Sequence, residues 1–153
     1  MYALVDRPVE SLTNSGRFLL WAMRGWTHAA TRGACPPQAL RRGFADTGAL
    51  AALPDFHVAM ALLATGASAP VGLAPMPCVQ ISEYEAILLG LWRDFSLEDG
   101  AAARATLALL VGKSSVGPIA HAMRAAVERL AFAGFHPSVL TAGVMKHQES
   151  PKR

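Results

Sequence analysis

The residues of this 153-residue chain best suited to chemistry are two cysteines and five histidines, and their spacing limits what that chemistry is. Cys35 precedes Pro36 and Cys78 follows Pro77, so each thiol sits in a rigid turn at or near a helix start. A helix N-terminus lowers the pKa of a nearby thiol and makes it more reactive. A zinc site needs about four ligands at recognisable spacing. Here no C-x-x-C pair occurs, and His28, His57, His121, His136 and His147 are scattered. A zinc or redox centre using Cys35 and Cys78 therefore requires the fold to bring the sulfurs together with a histidine. The simpler expectation is that both thiols are small buried hydrophobes, the commonest fate of free cysteine, and that the chain carries no cofactor.

A second group is basic. Arg17, Trp21, Arg24, His28 and Arg32 recur at intervals of three or four residues and form one stripe of the first helix. Arg41 and Arg42 continue it, so that residues 17–42 hold five arginines and no acid. Tryptophan among arginines suits an interface or a stack under a guanidinium. Two helices joined by a short turn invite a helix-turn-helix reading, but that motif needs a second helix rich in polar side chains for base edges. Residues 36–47 offer only Gln38, Arg41 and Arg42, which argues against nucleic-acid binding. The default for such a stripe is a solvated face.

Enzymatic patterns are missing from the sequence. It contains no H-E-x-x-H pair, nucleophile elbow or glycine-rich phosphate loop, and Lys113-Ser114-Ser115 follows a glycine but lacks the earlier glycine and the strand of such a loop. Glu83 and Glu85 are occupied at a helix start, and Glu128 forms an ordinary i, i+4 pair with Arg124. His57 and His121 lie on apolar helices, where a hydrogen-bonded core or boundary role is expected.

The elements that position these residues are helices. The clearest begins at Ser82, which forms a capping box with Glu85. Tyr84, Ile87, Leu88, Leu91, Trp92 and Phe95 then mark one apolar face, and this helix is expected to be the core spine. The first helix is capped by Asn14 or Ser15 and stops at Gly33. The second spans about 36–47 and ends at Gly48, with Leu40 and Phe44 facing inward. The third starts near Pro54 and carries Phe56, Met60 and Leu63. Ser96 with Asp99 is expected to open a fifth helix to about residue 111. Pro118 is expected to open a sixth, which ends at Gly134 after a turn over 112–117. Residues 67–81 form the one long Pro-rich irregular connection. The short runs 71–73 and 79–81 in it are too proline-interrupted for a real sheet. The expectation is an all-α, single-domain bundle of about six helices: an N-terminal arm (1–13), a helical domain (14–140) and a flexible C-terminal tail (141–153).

The pattern Ala74-Pro75-Met76-Pro77-Cys78, followed by Ser82-x-x-Glu85-Ala86-x-Leu88-Leu89, resembles an uncharacterised family of small all-helical bacterial proteins. That family pairs an arginine-bearing first helix with a cysteine-containing segment before a capping-box helix. The resemblance covers roughly residues 16–135 and implies the helical fold, but no reaction. The family tends to carry several cysteines at this point, whereas only Cys78 is present here, which puts a metal site there in doubt.

Composition sets the remaining bounds. A chain of this length can bury about two-thirds of its surface, enough for a core without staples. Charged residues are 16% of the chain, against about 25% in typical domains, and hydrophobic residues are 52%. Part of that excess is alanine, and part is expected in a subunit interface of a homo-oligomer, a dimer being the simplest. The opening lacks a secretory signal, because Asp6, Glu10 and Arg24 interrupt it, so a cytoplasmic location with reduced thiols is expected. Residues 56–82 contain no Asp, Glu, Lys or Arg, yet Gly66, Pro70, Gly72, Pro75 and Pro77 break any membrane span. A non-enzymatic, self-associating binding protein is the reading these features favour. A thiol-dependent metal or redox protein is the alternative, and nucleic-acid binding through residues 17–42 a minor one.

Overall fold

A computed structural model of the chain describes residues 4–68, 72–97 and 100–141. It is an all-helical bundle, with six α-helices and no strand among the described residues: α1 (Asn14–Thr31), α2 (Pro36–Asp46), α3 (Leu53–Gly66), α4 (Glu83–Ser96), α5 (Ala101–Leu110) and α6 (Lys113–Phe132). Single 3-10 turns at Val9–Ser11 and Leu50–Ala52 precede α1 and α3. None of these helices is long and apolar enough to cross a membrane.

Local chemistry explains most helix ends. At the end of α1, Gly33 has φ +76°. Its N–H donates to the Ala30 carbonyl and the next N–H, of Ala34, to the Ala29 carbonyl, the bond pair of a Schellman motif. The same bonds close α2 at Gly48 and α6 at Gly134. Ser82 and Glu85 make both bonds of the capping box that starts α4.

Three starts differ from the sequence expectation. The cap of α1 is Thr13, whose hydroxyl accepts from the Gly16 N–H and donates to the Val139 carbonyl at 2.8 Å. Asn14 and Ser15 are engaged elsewhere: Asn14 accepts from Arg17, and Ser15 from the His136 N–H. Helix α5 begins at Ala101 after Gly100, while Ser96 closes α4 by donating to the Arg93 carbonyl; Asp99 lies outside the described residues. Helix α6 begins at Lys113, so Pro118 sits inside it. An interior proline forfeits the bond to the carbonyl four residues back. That residue is Ser114, which is exposed.

Helix α4 is the spine, and it is more deeply buried than one amphipathic face implies. Leu88, Leu91, Trp92 and Phe95 are buried as expected, but so are Ala86, Leu89 and Gly90, while Tyr84 and Ile87 are half-buried. It packs on α1, α5 and α6. The α3–α6 pair runs antiparallel: Asp55 meets Arg129 near one end, and Gly66 abuts Ser115 at the other. Five aromatic rings cross the core. Trp92 stacks on Phe56 (centroids 5.6 Å apart, planes at 18°), Phe56 adjoins Phe44, Phe44 meets the edge of Phe18, and Phe18 stacks on Phe135. Such pairs add to the burial of the rings themselves. The Trp92 Nε1–H points at the Met23 sulfur, 3.4 Å away.

The Pro-rich connection is held by backbone pairing to the residues before α1. The Asp6 N–H donates to the Ile81 carbonyl, Ile81 returns a bond to Arg7, and Val9 donates to Val79. Residues 79–81 therefore pair with residues 6–9, which hydrophobic periodicity does not reveal.

Candidate functional site

The arginine stripe divides once its neighbours are in place. Arg17, His28 and Arg32 are exposed and Trp21 is half-buried, its ring lying against the Gly43 backbone and the Phe18 and Phe44 rings. Arg24, read from sequence as part of a solvated face, is instead buried at 4% exposure. Its Nε and one terminal nitrogen grip both carboxylate oxygens of Glu85 at 2.8 and 2.9 Å. Its remaining N–H groups donate to the carbonyls of Met76, Cys78 and Gln80. A guanidinium has five N–H donors, and all five are used. Glu85, fully buried, also accepts from the backbone N–H groups of Ala74 and Ser82, which fills its four lone-pair positions. The pair is a clamp that fastens residues 74–82 to α1 and α4. No donor or acceptor is left for a ligand, so Arg24 drops out of any binding stripe.

Burial alone pushes the Glu85 carboxyl upward. The bonds from Arg24, Ser82 and Ala74 outweigh it and hold the group below the ordinary glutamate range. Glu85 in turn raises the Arg24 guanidinium further above its already high value, overcoming the opposing effect of burial. A carboxyl with a depressed folded pKa stabilises the fold fully above its unfolded pKa, about 4.3, and loses that contribution as pH falls through the folded value. Thermal melts from pH 6 to pH 3 are expected to show wild-type stability falling steeply below about pH 4. The gap to a Glu85→Gln variant should narrow over the same range. A gap that stays constant to pH 3 would show that Glu85 is not ionised in the fold.

The thiols do not follow the buried expectation. Cys35 is exposed at the N-cap of α2, where the turn into Pro36 and Pro37 leaves its side chain in solvent. Cys78 is partly buried, its sulfur 3.5 Å from the Gln80 carbonyl. Among the described residues no three His, Cys, Asp or Glu side chains gather closely enough to hold a metal ion. His121 is exposed, whereas His57 is half-buried and accepts a bond at Nδ1 from the Trp26 indole N–H at 2.9 Å.

His57 opens onto the feature most suited to binding, a groove of about 460 Å³ between α2 and α3. Its walls are Pro37, Leu50, Leu53, Pro54 and Val58, and its polar groups are Gln38, Arg41 and His57. The volume lies within the range of small-molecule sites, and a mostly apolar lining with a few polar groups is their usual composition. Local sequence builds it. Pro37 and Pro54 each sit in the first turn of a helix, and the 3-10 turn Leu50–Ala52 sets Leu50 between those two ends. Val58 is off the Phe56–Met60–Leu63 stripe and stays 44% exposed. The groove was not visible in the sequence as a site. Its one signal was the run of apolar residues 50, 53 and 58, which the helical stripe leaves without an assignment.

Comparison with known proteins finds no match: no family model fits the chain, and no curated protein or solved structure aligns with it.

Proposed function

We propose that this chain is a non-enzymatic helical binding protein whose ligand site is the groove between α2 and α3. The observation that carries the reading is the groove itself: a concave apolar surface of about 460 Å³ with Gln38, Arg41 and His57 among its lining. Water covering such a surface is released when an apolar molecule replaces it. The buried polar cluster of Arg24 with Glu85 is consumed in holding the fold. A panel of small amphiphiles, neutral and charged, followed by amide chemical shifts, tests this. Shifts confined to residues 37–58 and abolished by Val58→Trp, which fills the groove, are expected. Shifts dispersed over the surface, or unaffected by Val58→Trp, would refute it.

Self-association is a second reading, favoured by Leu109 and Phe132, which stand 82% and 92% exposed on α5 and α6. A homodimer covering either would account for large apolar side chains left in water. Sedimentation of the same samples at micromolar concentration distinguishes it: a dimer that Phe132→Ser or Leu109→Ser dissociates supports it, and a strict monomer ends it.

A further inference from the structure

We propose that the α2–α3 groove selects a small apolar carboxylate, its headgroup held by Arg41 and by the Nε2–H of His57; this rests on the reading of the groove as a ligand site. The Trp26 indole N–H is a donor only, so its bond to His57 leaves Nδ1 as the acceptor. The proton of the neutral ring is then on Nε2, on the ring edge turned away from Trp26, and His57 lines the groove. One histidine tautomer is thus set by the core, and it offers a donor.

The charge around that donor is unbalanced. None of the eight lining residues is acidic. The acids of α2 and α3 lie beside other arginines: Asp46 is 3.9 Å from Arg42, and Asp55 is 3.2 Å from Arg129. Arg41, exposed on α2, has no hydrogen-bond or ion-pair partner among the described residues. A groove with apolar walls, one uncompensated guanidinium and one oriented N–H is complementary to a molecule with an apolar body and a single anionic end. A planar carboxylate presents two oxygens, which suits the fork of an arginine with a second donor beside it. A phosphate monoester carries more charge and a third acceptor oxygen than these two groups satisfy.

Calorimetric titration of the full chain with octanoate, octan-1-ol and octyl phosphate tests the inference. Octanoate is expected to bind at least about tenfold more tightly than octan-1-ol, because a charge-assisted bond is roughly twice as strong as a neutral one. It should also bind more tightly than octyl phosphate, whose additional charge and third acceptor oxygen Arg41 and His57 leave unmet. Arg41→Gln, an exposed change with no partner to lose, should remove most of that preference while leaving octanol binding within about twofold. His57→Gln should also lower octanoate affinity and, in wild type, octanoate should shift the His57 imidazole resonances. Equal affinity for octanoate and octanol, unaffected by Arg41→Gln, would overturn the carboxylate inference and leave the groove as a ligand site. Preference for octyl phosphate would also overturn it. No binding of any of the three would end both readings.

Discussion

Replacement of Glu85 by alanine is expected to cost about 3–5 kcal/mol, a large part of the 5–15 kcal/mol that holds a typical domain together. The loss follows from what remains behind. Arg24 is 4% exposed and would keep its charge with no anion near it. The Ala74 N–H would lose its partner too. Arg24→Met is expected to cost a similar amount, because the Glu85 carboxylate would then be buried and unpaired. In many proteins a buried ion pair can be replaced by apolar residues at no cost. That is not expected here. The combined Arg24→Met and Glu85→Leu variant still removes the partners of the part-buried Cys78 carbonyl and of the N–H groups of Ala74 and Ser82, and leaves the Gln80 carbonyl only the Cys78 thiol. A polar group left unmet costs up to about 1–3 kcal/mol when buried, and part of that for these part-buried groups. A double-mutant cycle by urea denaturation should therefore place the double variant close to the single ones and well below wild type. A double variant as stable as wild type would show that water satisfies the 74–82 backbone without the clamp.

The second large effect is expected at Trp92. The side chain is fully buried, stacks on Phe56 and directs its indole N–H at the Met23 sulfur. Trp92→Ala would open a cavity where α1, α3 and α4 meet, with an expected loss of about 3–5 kcal/mol. Trp92→Phe keeps a ring against Phe56 and should lose markedly less. Denaturant midpoints of the two variants check the ordering. An alanine variant within about 1 kcal/mol of wild type would mean that α4 is peripheral, since exposed positions alone tolerate such a change.

The two sites differ in how far the sequence reveals them. Trp92 could be assigned to the core from the three-and-four spacing behind Ser82, because helical periodicity is a local property. Arg24 could not. Its spacing to Arg17, Trp21, His28 and Arg32 is regular, and the same regularity suits a solvated face or, as here, a buried residue at its centre. What distinguishes them is Glu85, sixty-one residues on, together with backbone carbonyls that turn toward Arg24 only when residues 74–82 lie across α1. Pro118 shows the opposite limit. A strong local rule placed it at a helix start, yet α6 extends five residues before it, its single lost bond being tolerable on an exposed turn.

The α2–α3 groove belongs wholly to the tertiary level. Gln38, Arg41 and His57 have no recognisable spacing, and His57 acquires its oriented donor only through Trp26 of α1. By itself, then, the sequence determined the helical class, the buried face of α4, the capping box at Ser82 and the glycine stops at 33, 48 and 134. Each of these depends on backbone geometry and side chains within a few residues. Only the folded chain decided which arginine is buried, which thiol is exposed, what the 79–81 run pairs with and where a ligand fits. Those depend on contacts between residues distant in sequence, and no short-range pattern encodes them.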